Sequence, residues 1–268
     1  ELWRVDQPDA LSILPTREAI FVSSYDEIRS LAPNGHPRFE TGVPGAGAVY
    51  LMSFDNRLYA GGPMGVSRYR RRTLYDALDD LAPRAAWTGG KLGFAGPPAR
   101  YGDRLFVGYD DAGSNGSVRS LDPLNGSTEW STLTNRAENP IDRVRATTPV
   151  VVDGTAVTAV DTWTDEGRGH ELVGLDSRSG TVSWRRQTGS WCGAMAAGKG
   201  AVLVATNRDD PADLFHVGAA DPPGSILALT PDGTDLWRVH FDVGVGEVVT
   251  VDRSVFALLE DGRAVALR

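Results

Sequence analysis

The stretch Leu172 to Trp184, "LVGLDSRSGTVSW", decides the fold. It reads as an apolar strand, a turn and a second strand that closes on tryptophan. Asp, Ser and Gly in its middle are typical of tight turns, because they satisfy or relax the turn backbone. Val, Leu, Thr and Trp in its flanks favour extended structure. The stretch therefore predicts a β-hairpin that ends on an aromatic side chain.

The same hairpin returns along the whole chain. In each copy a leucine precedes an aromatic residue by eight or nine positions, and turn-forming residues lie between them. The further copies are Ile28–Phe39, Leu74–Trp87, Val118–Trp130 and Ile226–Trp237. A motif repeated at a fixed period indicates a repeat architecture, which has to be recognised before single motifs are interpreted.

A second strand pair precedes each of these hairpins. The clearest is Thr147–Asp161, "TTPVVVDGTAVTAVD", with an Asp-Gly turn between two apolar runs. Four antiparallel strands over roughly 45 residues are typical of a β-propeller blade. The sequence thus predicts an all-β, six-bladed β-propeller of four-stranded antiparallel blades in one domain. The predicted blades cover residues 10–40, 47–88, 93–131, 146–186, 193–239 and 246–268 plus 1–6.

The last predicted blade draws on both ends of the sequence. Glu247–Arg268 supplies three strands, and Glu1–Asp6, "ELWRVD", has the character of the missing fourth. We expect this N-terminal strand to close the last blade. Such closure would cover a strand edge that otherwise invites pairing with another chain.

Composition excludes several functions. The 268 residues carry a net charge of −8 with a pI near 5.0, which disfavours nucleic-acid binding. No apolar run is long enough to span a membrane. The single cysteine, Cys192, cannot form an internal disulfide, and we expect it to be a buried, inert thiol.

The repeat, at its fullest in "GLDSRSGTVSW" (Gly174–Trp184), resembles the PQQ-like, or quinoprotein-like, propeller family. That family includes dehydrogenases, outer-membrane assembly scaffolds and extracellular sensor domains. The resemblance implies an extracytoplasmic location: periplasmic, cell-surface or secreted. It also implies that the motif tryptophan packs between neighbouring blades. The tryptophans in that position are Trp3, Trp87, Trp130, Trp184 and Trp237.

Strand direction sorts the connections onto two faces. Turns that join first to second and third to fourth strands are short in sequence and form the tight-turn face. Second-to-third and blade-to-blade connections form the long-loop face, which we predict to bind a protein partner or a small ligand, since function concentrates in such loops. The predicted ligand-binding residues are Arg68, Arg70, Tyr109, Asp110, Asp161, Trp163, His170, Trp191, Arg208 and His216. Trp163 and Trp191 stand outside the repeat pattern, and tryptophan is favoured at binding hot spots.

One acidic stretch is a candidate metal site. Asp209, Asp210 and Asp213 lie close to His216, and oxygen ligands suit Ca²⁺. The stretch lacks the spacing of an EF-hand loop, and acidic loops are common in acidic proteins. We expect no cofactor, with Ca²⁺ as the open alternative.

No catalytic motif stands out, so the sequence favours a non-catalytic binding or scaffold domain. Two alternatives stay open. The first is a dehydrogenase that uses PQQ and Ca²⁺; however, the eight-bladed alcohol dehydrogenases of the resembled family carry a disulfide between adjacent cysteines, and this chain has one cysteine. The second is a metal-dependent propeller hydrolase or lyase, for which Asp110, Asp161 and Asp209 would have to converge.

Overall fold

The computed structural model describes residues 12–16, 19–24, 27–42, 50–54, 57–62, 65–70, 85–89, 94–95, 97–111, 115–136, 143–164, 167–207, 224–251 and 254–267. These residues form six small antiparallel sheets arranged in a ring, and no helix occurs among them. Within the same residues there is consequently no helix long and apolar enough to cross a membrane.

Each sheet is one blade, and its strands follow one another in chain order. Blade 1 contains β1 (Ser12–Pro15), β2 (Ile20–Ser23), β3 (Glu27–Leu31) and β4 (Pro37–Gly42). Blade 2 contains β5 (Tyr50–Phe54), β6 (Arg57–Gly62), β7 (Gly65–Arg70) and β8 (Ala85–Gly89). Blade 3 contains β9 (Phe94–Ala95), β10 (Ala99–Tyr101), β11 (Arg104–Asp111), β12 (Asn115–Leu121) and β13 (Thr128–Arg136).

Blade 4 contains β14 (Arg143–Ala146), β15 (Val150–Val152), β16 (Thr155–Thr164), β17 (Gly167–Asp176) and β18 (Val182–Gln187). Blade 5 contains β19 (Trp191–Gly198), β20 (Ala201–Asn207), β21 (Gly224–Leu229) and β22 (Asp235–Phe241). Blade 6 contains β23 (Val245–Val251), β24 (Ser254–Leu259) and β25 (Ala264–Leu267). In blades 3 and 4 the first strand is split, so that β9 and β10 both pair with β11, and β14 and β15 both pair with β16.

The hydrophobic core lies between successive blades. Five clusters of buried side chains each join one blade to the next, as when Val157 and Leu172 of blade 4 pack with Val202 and Leu227 of blade 5. The second and third strands are therefore buried on both faces; residues 156–161 of β16 are buried without interruption. The outer strand β18 instead alternates between half-buried and exposed side chains, because only one of its faces meets a neighbouring blade.

A register shift recurs opposite the motif aromatic. Blades 1 to 5 each show it between the third and fourth strands, directly after the residue that pairs with Phe39 or with a motif tryptophan. In blade 4 that residue is Gly174, and a Cβ there would collide with the Trp184 ring. The small residue makes room for the indole, which then turns toward the next blade.

The predicted six-bladed, all-β propeller is confirmed. Blade 6 shows three described strands, as expected from Glu247–Arg268, whereas the predicted closing strand Glu1–Asp6 lies outside the described residues. One strand of blade 2 was predicted wrongly. The repeat copy Leu74–Trp87 suggested a third strand near Leu74, but the third strand is β7, because Val66 and Tyr69 bury their side chains completely.

Candidate site on the long-loop face

The long-loop face differs from the prediction in blades 3 and 4. The stretches expected to be loops are the ends of long strands: β11 runs to Asp111, and β16 and β17 pair as far as Thr164 and Gly167. The long-loop end of the propeller therefore carries two β-ribbons, formed by β11 with β12 in blade 3 and by β16 with β17 in blade 4. Side chains on a ribbon are held by cross-strand pairing, so they are better ordered than loop side chains would be.

A buried acid–base pair lies inside the blade 4 ribbon. Asp161 on β16 and His170 on β17 are directly opposite each other, and the Nδ1 atom of His170 lies 2.8 Å from Oδ1 of Asp161. Both side chains are almost fully buried, at 2% and 5% exposure. The second carboxylate oxygen, Oδ2, accepts no hydrogen bond from the residues that the structure describes. A buried pair of this kind fixes the pairing of its two strands, since removing either partner leaves the other uncompensated.

The residue of blade 5 that corresponds to Asp161 has a structural role. Asn207 occupies in β20 the position of Asp161 in β16, counted from the turn before each strand. Its amide donates to the Val245 carbonyl and accepts from the Val245 N–H, both at 2.8 Å, which fastens blade 5 to blade 6. Sequence reasoning missed Asn207, although aligning the repeats on the turn glycines Gly154 and Gly200 would have found it. The comparison favours a structural role for Asp161.

Cys192 lies in β19, close to Asp161, and its buried thiol is unreactive at neutral pH. Burial raises the pKa of its thiol from 9.0 to about 12, with the nearby Asp161 carboxylate adding to the rise and a hydrogen bond to Thr188 opposing it. The thiol is therefore protonated at neutral pH, and a protonated thiol is a poor nucleophile. The predicted buried, inert thiol agrees with this environment.

The two tryptophans outside the repeat lie on the long-loop face of adjacent blades. Trp163 is half-buried near the end of β16, and its cross-strand partner Arg168 is exposed. Trp191 opens β19 with 37% of its surface exposed, and its ring lies 3.2 Å from the position that a Cβ of Gly193 would take. The structure places both indoles in strands at the long-loop end of the propeller, whereas the sequence analysis placed them in loops of that face.

Tyr109 and Asp110 lie in strand β11 and not in a loop, so their predicted placement was wrong. The Tyr109 ring is completely buried, packs in the core between blades 2 and 3, and has the Arg119 guanidinium 4.2 Å from its centre. This burial gives Tyr109 a packing role. Asp110 is half-buried and pairs with Gly116 on β12. The strand that begins with the apolar run Leu105–Val107 continues through Tyr109, because aromatic residues favour extended structure.

The basic residues of blade 2 were placed on the wrong side. Arg68 and Arg70 lie in β7, which runs from the long-loop face toward the tight-turn face. Arg68 pairs with Trp87 across the strands, and its guanidinium donates at 3.1 Å to the carbonyl of Pro123 in the third-to-fourth-strand turn of blade 3. Arg68 therefore ties two blades together at the tight-turn face. The side chain of Arg70 lies outside what the structure describes.

The largest predicted loop is not described. Arg208, Asp209, Asp210, Asp213 and His216 all fall in residues 208–223, so their predicted roles stay predictions. Among the residues that the structure describes, no three His, Cys, Asp or Glu side chains are grouped so that they could hold a metal ion.

The comparisons with known proteins agree with this architecture. A family model described as "Outer membrane protein assembly factor BamB" matches residues 1–221. The chain belongs to this family of PQQ-like repeat propellers. No curated protein matches the chain.

Solved structures show the same fold at low sequence identity. BamB from Moraxella catarrhalis is 12% identical, with a TM-score of 0.52, and the match covers 95% of this chain and 83% of that one. The Pan2 WD40 domain of Neurospora crassa is 10% identical, with a TM-score of 0.65 over 97% of this chain and 77% of the other. A chain of the mitotic checkpoint complex is 12% identical, with a TM-score of 0.66 over 97% and 74%. At these identities the likeness concerns the fold.

The cations and carboxylates that the sequence analysis considered for a PQQ site do not come together among the described residues. A PQQ site needs cations for the quinone carboxylates and a metal ligand set beside the reactive carbonyl. Arg68 is engaged at the tight-turn face, whereas Asp110 and Asp161 lie at the opposite ends of their blades. The predicted cationic and acidic groups are thus separated by the length of the strands.

Proposed function

We propose that this propeller is a non-catalytic scaffold that binds a protein partner through its long-loop face, with Trp163 and Trp191 at the centre of the contact. The observation that carries the proposal is the position of these two indoles on adjacent blades. Trp130 and Trp184, by contrast, pack between blades, and each donates its indole N–H to a turn of the following blade. Trp163 is half-buried and Trp191 is 37% exposed, so both rings keep surface that a partner could cover. A tryptophan that stands outside the repeat and is held on a strand is a typical interface anchor.

The surroundings of Trp163 support this role. The blade 4 ribbon that carries it is fixed from within by Asp161 and His170. The next residue of β17, Glu171, forms a separate ion pair of 2.7 Å with Arg185 of β18. A prearranged surface loses little conformational freedom on binding, so more of the contact energy is left for affinity. We expect the buried pair to act by holding the ribbon and to make no contact with the partner.

The family and the related folds support a protein partner in general terms. The matching family is described as an outer membrane protein assembly factor. Two solved propellers of similar fold were determined in assemblies, namely the mitotic checkpoint complex and BBS1N in complex with ARL6DN. By the same family description we propose an extracytoplasmic location. The competing interpretation is that a small ligand binds the same face. A crosslinker on that face would capture a protein in the first case and no protein in the second.

Site-specific photo-crosslinking in the native host tests the proposal. A photoreactive residue replaces Arg168 or Gln187 on the long-loop face, or, as matched controls, Arg178 or Asp232 on the tight-turn face. We expect one discrete protein adduct from the first two positions and none from the controls. Adducts from the control positions alone, or no adduct from any position, would contradict the proposed face.

A further inference from the structure

Asparagine is followed by glycine three times in the chain, and the structure gives the three pairs different surroundings. Asn34–Gly35 and Asn125–Gly126 lie in the third-to-fourth-strand turns of blades 1 and 3, whereas Asn115–Gly116 begins β12. Such a pair can modify itself, because glycine has no side chain that keeps its backbone nitrogen away from the asparagine amide carbon. The surroundings of each pair decide whether it does so.

The two turn pairs share their main backbone features. Gly35 and Gly126 are buried and have φ angles of +85° and +75°, and the N–H of each donates at 2.8 Å to the carbonyl of the residue that opens its turn. In both turns the asparagine Oδ1 atom accepts from the backbone N–H two residues further on, at 3.3 Å from His36 and at 2.7 Å from Ser127. The backbone alone therefore gives no reason for a difference in reactivity.

The two asparagine side chains differ in one neighbour. In blade 3 the Nδ2 atom of Asn125 donates at 2.9 Å to the carboxylate of Asp122, which also accepts from the Leu124 N–H. Within the described residues the side chain of Asn34 makes only its hydrogen bond to His36, and its turn, residues 32–36, contains no carboxylate. The blade 3 turn thus places a negative charge on the asparagine amide, and the blade 1 turn does not.

We propose that Asn34 is a self-modification site, at which the chain deamidates through a succinimide formed with Gly35. The Gly35 nitrogen attacks the Cγ atom of Asn34, and its proton passes through water to Nδ2. The Cγ–Nδ2 bond then breaks and ammonia leaves. Water opens the five-membered ring at either of its carbonyls, which gives aspartate or isoaspartate at position 34. Water is the one co-reactant of the sequence.

The carboxylate beside Asn125 opposes the same reaction in blade 3. The addition step places negative charge on the asparagine Oδ1 atom, and in both turns a backbone N–H points at this oxygen and stabilises that charge. The Asp122 carboxylate is bonded to the same amide group, so that the developing charge forms next to a like charge. Asn34 has the stabilising N–H without the opposing carboxylate.

The third pair is held by its sheet and by the next blade. Asn115 and Gly116 pair with β11 on one side and with β13 on the other. The Gly116 carbonyl accepts from the Thr134 hydroxyl at 2.9 Å, and a Cβ on Gly116 would lie 2.9 Å from the Val144 side chain of blade 4. Ring closure requires rotation of the backbone between the two residues, and this packing resists it. We therefore expect Asn115 to be slow as well.

Blade 5 shows which product the turn accommodates. Its third-to-fourth-strand turn has the same backbone hydrogen bonds as the blade 1 turn, with Asp232 in place of Asn34. The Asp232 carboxylate accepts from the Thr234 N–H at 3.2 Å, as Asn34 accepts from His36. Aspartate at position 34 therefore fits the turn and adds negative charge to the tight-turn face. Isoaspartate adds a carbon atom to the main chain, so it should disturb the pairing of β3 with β4.

Peptide mapping by mass spectrometry tests this inference, because trypsin places the three pairs in separate peptides, residues 30–38, 105–119 and 120–136. The folded and the urea-unfolded protein are incubated at mildly alkaline pH, and the loss of each unmodified peptide is followed with time. An isoaspartyl methyltransferase distinguishes isoaspartate from aspartate in the products. Asp122→Asn is the matched variant, because it keeps an acceptor in the blade 3 turn and removes the charge.

In the folded protein we expect Asn34 to deamidate at least about tenfold faster than Asn125 and Asn115, as for a barrier that one nearby charge raises. In urea the three rates should converge. Asp122→Asn should raise the rate of Asn125 toward that of Asn34 and leave Asn115 unchanged, which reports that the blade is intact.

Equal rates for Asn34 and Asn125 in the folded protein would overturn the proposal. A difference of the same size in urea would also overturn it, because the difference would then come from the flanking sequence. An unchanged rate of Asn125 in Asp122→Asn would refute the role given to the carboxylate.

Discussion

Truncation of Trp184 to alanine should be among the most costly single changes in the protein. The ring lies against Gly174 of its own blade and Gly233 of the next, and its N–H donates at 2.8 Å to Pro231. Removing a large aromatic side chain from such a site costs about 3–5 kcal/mol, through lost burial and the cavity left behind. The lost hydrogen bond accounts for about 1 kcal/mol of that sum.

Trp237→Ala is the matched control, because it removes the same residue from the same repeat position. Trp237 is 38% exposed, and no turn of the described residues packs on it, so its removal should cost about 1 kcal/mol or less. Trp184→Phe keeps most of the ring and removes the donor, which should isolate a cost of about 1–2 kcal/mol.

The measurement is urea unfolding of the parent and the three variants, followed by far-ultraviolet circular dichroism at one temperature. Free energies are compared only where the unfolding slopes agree, because a changed slope signals a changed unfolding mechanism. Equal destabilisation by Trp184→Ala and Trp237→Ala would refute the difference between the two interfaces. A cost below about 1 kcal/mol for Trp184→Ala would remove the indole from the core.

Four further outcomes are expected. Cys192, with its pKa raised to about 12, should be alkylated at pH 8 at least about 100-fold more slowly in the folded than in the urea-unfolded protein, and comparable rates would contradict the burial of the thiol. Because that pKa lies above the unfolded value of 9.0, the free energy of unfolding should fall as pH rises above 9.0 toward 12. Deletion of Glu1–Asp6 should leave the edge of β25 open and cause dimerisation or loss of structure in light scattering; a monomer with the parental melting temperature would show that blade 6 does not need this segment. PQQ with Ca²⁺ should leave the melting temperature unchanged in calorimetry, whereas a rise at micromolar PQQ would require a real quinone site.

The fold could be predicted from the sequence because the repeated residues are those that make the contacts between blades. The spacing in Gly174–Trp184 places an indole over a glycine on one strand and a turn on the next blade, so the pattern carries tertiary information. The same pattern misled the interpretation of blade 2. Leu74–Trp87 matches the spacing, but the buried pair Val66 and Tyr69 makes Gly65–Arg70 the third strand.

The candidate site could be predicted only in part, because side-chain roles depend on where strands end. Trp163 and Trp191 were recognisable as tryptophans that the repeat does not use, and the structure puts both on the long-loop face. Tyr109 was misread as a loop residue because β11 runs past the body of the blade. Arg68 was misread as a surface cation. Its guanidinium donates a hydrogen bond to the carbonyl of Pro123 in a turn of the next blade. At other blade interfaces a motif indole donates the corresponding hydrogen bond.

We have proposed that Trp163 and Trp191 anchor a protein partner on the long-loop face. The most direct test is the dissociation constant between this chain and the partner identified by crosslinking, measured for the parent, for the double variant Trp163→Ala/Trp191→Ala and for the tight-turn control Arg178→Ala. Interface anchors of this kind contribute about 2 kcal/mol or more each, and 2 kcal/mol is about 30-fold in the dissociation constant. The double variant should therefore bind at least about 30-fold more weakly, and about 1,000-fold where the two losses add, whereas the control should bind as the parent does. An unchanged dissociation constant for the double variant, with its circular dichroism spectrum intact, would contradict the claim.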